Sequence, residues 1–133
     1  EYGLRAVRLP YEPPVLSWQA TRRGLGPKLA SALFLSPWLG LMRVRLRRAG
    51  MWTNDRVFGM ADSGRMTSDR VLEFVKRLPS GVTEIYFHPA TRLCPEMDGN
   101  SHPYAELEAL TSPSIQEALV ASGVQRISFS DLQ

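Results

Sequence analysis

Cysteine is almost missing from this chain. Cys94 stands alone among 133 residues, which excludes an internal disulfide and fits a reducing compartment. Histidine is nearly as scarce, with only His88 and His102. There is no Asp-Asp pair, no His-x-His pair and no paired-cysteine zinc pattern. There is also no glycine loop shaped to cradle phosphate and no nucleophile elbow. Acidic residues are absent between Glu12 and Asp55, a stretch that holds Arg22, Arg23, Lys28, Arg43, Arg45, Arg47 and Arg48. Such a block can face nucleic acid, anionic lipid or water. Nucleic acid fits poorly, because the cations interleave with a hydrophobic segment rather than with stacking aromatics. No initiator Met and no signal-peptide pattern is present, and the first residues lead straight into a strand. The expectation is a single partial domain over residues 1–133.

What is there reads as a globular protein, 44% hydrophobic and 22% charged, with a net charge of +3 and a pI near 9.4. The best-defined strand is Val82 to Phe87, rich in β-branched and aromatic residues, with Gly81 before it and Pro89 after it. A shorter strand alternates over Leu4 to Leu9 and closes at Pro10, after which Pro13-Pro14 predicts an extended loop. Arg22 to Pro27 reads as a basic connector broken by glycine and proline.

Leu29 to Arg48 reads as a helix that Pro37 would kink or split, with Gly50 as its stop. Its uncharged run from Leu29 to Met42 falls short of the ~20 residues of a membrane span. That run suits either a core helix or one lying at a membrane interface. Thr53 to Met60 is strand-like and runs into an Asp62-Ser63-Gly64 turn. Thr67 or Ser68 can cap a helix whose apolar stripe is Val71, Leu72, Val75 and Leu78. A polar loop from Thr91 to Pro103 precedes a short helix over Tyr104 to Leu110. A second helix opens at Ser112-Pro113 and closes at Gly123, and a last strand is expected over Val124 to Phe129. Strands alternating with helices predict parallel strands joined by crossover helices.

In such a domain, ligands and catalytic groups collect at the carboxyl ends of the strands. His88, the last residue before Pro89, is therefore the leading candidate for chemistry. Arg8, near the end of the first strand, can point into the same mouth. The bland alternatives are a histidine bonded in a strand-end loop and a solvent-facing arginine. His88, Cys94, Asp98 and His102 could be assembled on paper as a metal site, but their spacing matches no standard ligand pattern.

The residues also carry a resemblance. Val7-Arg8-Leu9-Pro10, Thr53-Asn54-Asp55 with Val57-Phe58-Gly59, Met66-Thr67 and Leu78 to Pro89 resemble the carboxyl-terminal half of the YdjC-like carbohydrate deacetylases. Tyr104 to Leu110 and Ser112-Pro113 fit as well. The Gly81 to Ala90 block is the most specific part, and the runs Arg8 to Pro14 and Glu84 to Ala90 are most similar to the hopanoid-biosynthesis-associated branch. Ala90 departs from the glycine of many relatives outside that branch. The resemblance implies the carboxyl-terminal portion of a TIM-like (β/α) barrel with parallel strands. It implies a metal-dependent N-deacetylase acting on an N-acetylated sugar or glycolipid, in that branch an N-acetylglucosaminyl hopanoid. It further implies a divalent metal, zinc or magnesium, in the full-length parent, held by an aspartate and two histidines that have no counterpart here. His88 alone matches, as general acid or oxyanion partner; Arg8 is expected as a substrate contact from its place near the end of the first strand. The chain by itself is then expected to be inactive, and the parent to be cytoplasmic, with the inner face of the membrane as an option. The reading from another class is a non-catalytic, basic module that docks on a membrane surface or a partner.

Overall fold

The computed structural model describes residues 5–91 and 101–132. It is a mixed α/β arrangement with short parallel strands. These are β1 (Ala6–Val7), β2 (Trp52–Thr53), β3 (Arg56–Phe58) and β4 (Thr83–Ile85), with β1 paired to β2 and β3 paired to β4. Residues 52–58 act as one interrupted middle run. Arg56 and Phe58 bond toward β4 (Arg56 N–H to Val82, Tyr86 N–H to Phe58), while the Val57 N–H points the other way, to the Tyr11 carbonyl. The break at Asn54-Asp55 is spliced by side chains. Asn54 Oδ1 accepts the Leu9 N–H at 2.6 Å, Asn54 Nδ2 donates to the Leu9 and Arg56 carbonyls, and Asp55 Oδ2 accepts the Val82 N–H at 2.8 Å. Gly59 ends the middle run at φ 94°. A Cβ there would lie 2.5 Å from the Tyr86 carbonyl oxygen, so only glycine lets β3 and the chain beyond β4 approach this closely.

Five helices complete the described residues: α1 (Pro14–Thr21), α2 (Leu25–Arg48), α3 (Ser68–Val75), α4 (Pro103–Thr111) and α5 (Pro113–Ala121). The core lies where α1, α3, α4 and α5 meet one face of the strands. Phe58 stacks on Phe74 with ring centroids 4.8 Å apart, among Met66, Val71, Ala109 and Ile115, with Ile85 and Phe87 against them. Because side chains alternate along a strand, Glu84, Tyr86 and His88 face away from that core.

Several local expectations are corrected. Pro13-Pro14 does not make an extended loop: Pro13 is extended, with ψ 113°, but Pro14 opens α1. A proline restricts the residue before it, yet its own fixed φ suits the first helical position. The connector over Arg22 to Pro27 is shorter than expected, since α2 starts at Leu25 after Gly24 at φ 59°. Pro37 does not split α2. It removes the donor that would reach the Leu33 carbonyl, and the Ser36 hydroxyl donates to that carbonyl instead at 2.9 Å. The core-helix reading of α2 fails within the described residues, as none of its residues is buried. Val124 to Phe129 is not a strand. It finds no ladder, Val124, Ile127 and Phe129 stay exposed, and Ser128 with Asp131 caps a 3-10 turn at Phe129–Asp131. Strand propensity without a neighbouring edge is not enough. Cys94, Asp98 and most of the Thr91 to Pro103 loop lie outside the described residues.

Candidate active site at the strand ends

Arg8 follows β1, Ser63 lies in the loop after β3, and Tyr86 and His88 follow β4. All four therefore lie beyond the carboxyl ends of the parallel strands. His88 is held through both ring nitrogens. Ser63 Oγ lies 2.9 Å from Nδ1 and Tyr86 Oη lies 2.8 Å from Nε2, and the Tyr86 ring meets the imidazole edge-on at 4.5 Å. A hydroxyl can donate or accept. Neutral imidazole in either tautomer, and imidazolium, can thus be satisfied by the same two partners. The arrangement fixes the ring without selecting a tautomer.

Arg8 belongs to the same cluster. Its Nε and Nη2 form a two-pronged pair with the Glu84 carboxylate, the Nε contact at 2.9 Å, and its guanidinium lies 4.7 Å over the Tyr86 ring. The hydrogen bond to Glu84 raises the Arg8 pKa above its ordinary value, so this cation is permanent. Arg8 therefore braces Tyr86, and Tyr86 in turn holds His88. The two residues singled out from the sequence do converge, with Tyr86 between them.

Ser63 and Glu106 were not singled out from the sequence. Glu106 is fully buried on α4, and its carboxylate accepts the Met66 N–H at 3.0 Å and the His88 N–H. It ties the start of α3 and the strand end to one helix. A signal existed: Pro103, Glu106 and Ala109 form the buried stripe of α4, and a carboxylate on a buried stripe needs donors. His102, in contrast, caps α4 and sends its N–H to the Gly64 carbonyl at 2.6 Å, a structural role.

A cavity of about 460 Å³, lined by none of Arg8, Ser63, Tyr86 and His88, lies between α2 and the chain around Met60 to Asp62. It is lined by apolar Leu35, Leu39 and Met60 together with Lys28 and Asp62. Lys28 Nζ is 2.7 Å from Asp62 Oδ2 and also donates to Ser17 and Thr21, so the buried charges there are paired. His88 does not line it, and the pair anchors α2 on the domain. Among the described residues, no three His, Cys, Asp or Glu side chains gather into a metal site.

A histidine paired with two hydroxyls at the carboxyl ends of parallel strands is a candidate group for acid–base chemistry. The sequence matches the family model for YdjC-like protein over residues 1–121, and the chain belongs to that family, which is related to carbohydrate deacetylases. No curated protein and no solved structure matches the chain.

Proposed function

We propose that this chain is the carboxyl-terminal portion of a carbohydrate N-deacetylase, folded as part of a TIM-like barrel, with His88 as its general acid. The observation that carries the reading is the pairing of both His88 ring nitrogens with Ser63 and Tyr86, set beside Arg8. In amide hydrolysis, water adds to the acetyl carbonyl and the tetrahedral intermediate collapses with cleavage of the C–N bond. The amine leaves with a proton, and acetate keeps the water oxygen. His88 supplies that proton from the ring nitrogen whose hydroxyl partner the bound substrate displaces, while the other hydroxyl steadies the second nitrogen. Arg8, whose fork is only partly used by Glu84, offers further N–H donors to sugar hydroxyls at the rim.

The family resemblance brings a divalent ion, zinc or magnesium, to this reaction. The described residues do not form a site for it, and no step here is routed through it. The substrate class in this reading is an N-acetylated sugar. An N-acetylglucosaminyl hopanoid lipid is the specific candidate, supported by the Glu84 to Ala90 block. The setting is the cytoplasm.

The test uses the protein expressed from its complete reading frame, with an N-acetylglucosamine conjugate as substrate. His88→Asn should lower turnover roughly 10²–10⁴-fold, the usual worth of a positioned acid or base. Bound metal should stay at the wild-type level. Unchanged turnover removes His88 from the mechanism, and loss of metal makes it a ligand instead.

A further inference from the structure

Helix α2 runs for 24 residues, Leu25–Arg48, and buries none of them fully. Leu33, Phe34 and Trp38 are 78%, 75% and 67% exposed, and Leu29, Leu41 and Val44 are exposed as well. At ~3.6 residues per turn these six side chains fall within roughly one half of the helix circumference. The other half carries Lys28, Ala32, Leu39, Met42 and Leu46, which are half-buried against the domain. The apolar half gives way at the carboxyl end to Arg45, Arg47 and Arg48, all exposed. An apolar surface of this extent, ending in cations, needs a partner.

Crossing a bilayer does not fit, although length and composition would allow it. Lys28 is locked to Asp62 at 2.7 Å, and Arg43 donates to the Asp55 carbonyl at 3.3 Å. The flank of α2 packs against α1 and β2. A helix clamped along its length to a folded domain stays with that domain. A second copy does not fit either. The helix has no acidic residue to meet three exposed arginines, whether two copies pair parallel or antiparallel.

We propose that α2 docks this protein on an anionic phospholipid surface. The helix lies in the plane of the interface with Leu33, Phe34 and Trp38 in the acyl boundary. Arg45, Arg47 and Arg48 sit among the phosphates. Charge selects the partner: an acid-free helix bearing an arginine cluster complements a negative headgroup layer. The inference stands on α2 alone and does not depend on His88 or on deacetylation.

The experiment is flotation of the full chain with vesicles of phosphatidylcholine carrying a rising fraction of phosphatidylglycerol. Binding should grow with the anionic fraction and fall with salt. Changing Arg45, Arg47 and Arg48 together to Gln should weaken partitioning roughly 10²-fold at low salt. Phe34→Ser with Trp38→Ser should weaken it on every composition. These side chains are exposed, so helicity by circular dichroism should match the parent. Binding that ignores either set of changes, with helicity intact, overturns the proposal. A chain that dimerises in light scattering, turns monomeric on Phe34→Ser with Trp38→Ser and never floats assigns the face to a second copy instead.

Discussion

Glu106 shows how one side chain can set the position of another without touching its ring. Its two carboxylate oxygens take the backbone N–H groups of Met66 and His88, one from the start of α3 and one from the strand end. Glu106→Gln keeps the shape but turns one oxygen into an amide donor that faces an N–H. One buried donor then loses its partner, which costs roughly 1–3 kcal/mol. The expected outcome is an unfolding free energy lowered by that amount, read as a lower urea midpoint with the slope unchanged. Turnover should fall less than in His88→Asn, because the imidazole is still present but its strand end is less well held. Equal stability of the variant and the parent would mean that the carboxylate is not needed as an acceptor. His88 was legible from sequence because strand pattern and proline stop place it at a strand end. Ser63 was not, since nothing in an Asp-Ser-Gly turn tells which of its side chains meets a residue further along the chain.

Among the elements, α3 was the most legible and α2 the least. Of the stripe Val71, Leu72, Val75 and Leu78, Val71 and Val75 are buried on α3, Leu72 is half-buried and Leu78 lies past its end, while Phe74 adds the aromatic that stacks on Phe58. Local periodicity suffices when a helix packs on its own neighbours. For α2, composition favoured a core helix over one at an interface, and the exposures of Leu33, Phe34 and Trp38 exclude burial within the described residues. The expected final strand failed for a related reason, since pairing is decided by a distant edge rather than by the strand's own residues. The end of α3 also carries a pH dependence. Glu73 bonds Lys76 first and Arg77 second, and both hold its carboxyl below the ordinary carboxylate range. A folded-state pKa below the unfolded value stabilises the fold above the unfolded pKa, and that contribution is lost as pH falls through the folded pKa. Glu73→Gln should therefore flatten the acid side of a stability–pH curve and leave its alkaline side unchanged. The change should be small and should fade with added salt, because the pair is on the surface.

At the scale of the molecule, the parallel α/β order could be read from the alternation of strand and helix, but the way two short two-stranded sheets are joined through residues 52–58 could not. The middle run is interrupted, and the interruption is bridged by Asn54, which is 1% exposed. Its Oδ1 replaces a missing ladder acceptor for Leu9, and its Nδ2 satisfies the Leu9 and Arg56 carbonyls. Leu9 is thereby held against Asn54 in the middle run, and its neighbour Arg8 lies over Tyr86. Asn54→Asp is the informative change, since it keeps the volume and one acceptor while removing both donors. Two carbonyls then face a carboxylate in a buried position, which costs more than the roughly 1–3 kcal/mol of a single neutral unpaired group. The expected result is a loss of several kcal/mol in the denaturant midpoint analysis. Hydrogen exchange should accelerate at Leu9 and at the Val57 N–H, which bonds the Tyr11 carbonyl next to this splice. Protection on the β4 side, at Tyr86, should be less affected, because its bond to Phe58 does not pass through Asn54. Uniform loss of protection on both sides would mean that the sheet opens as one unit and that Asn54 does not act as a local splice.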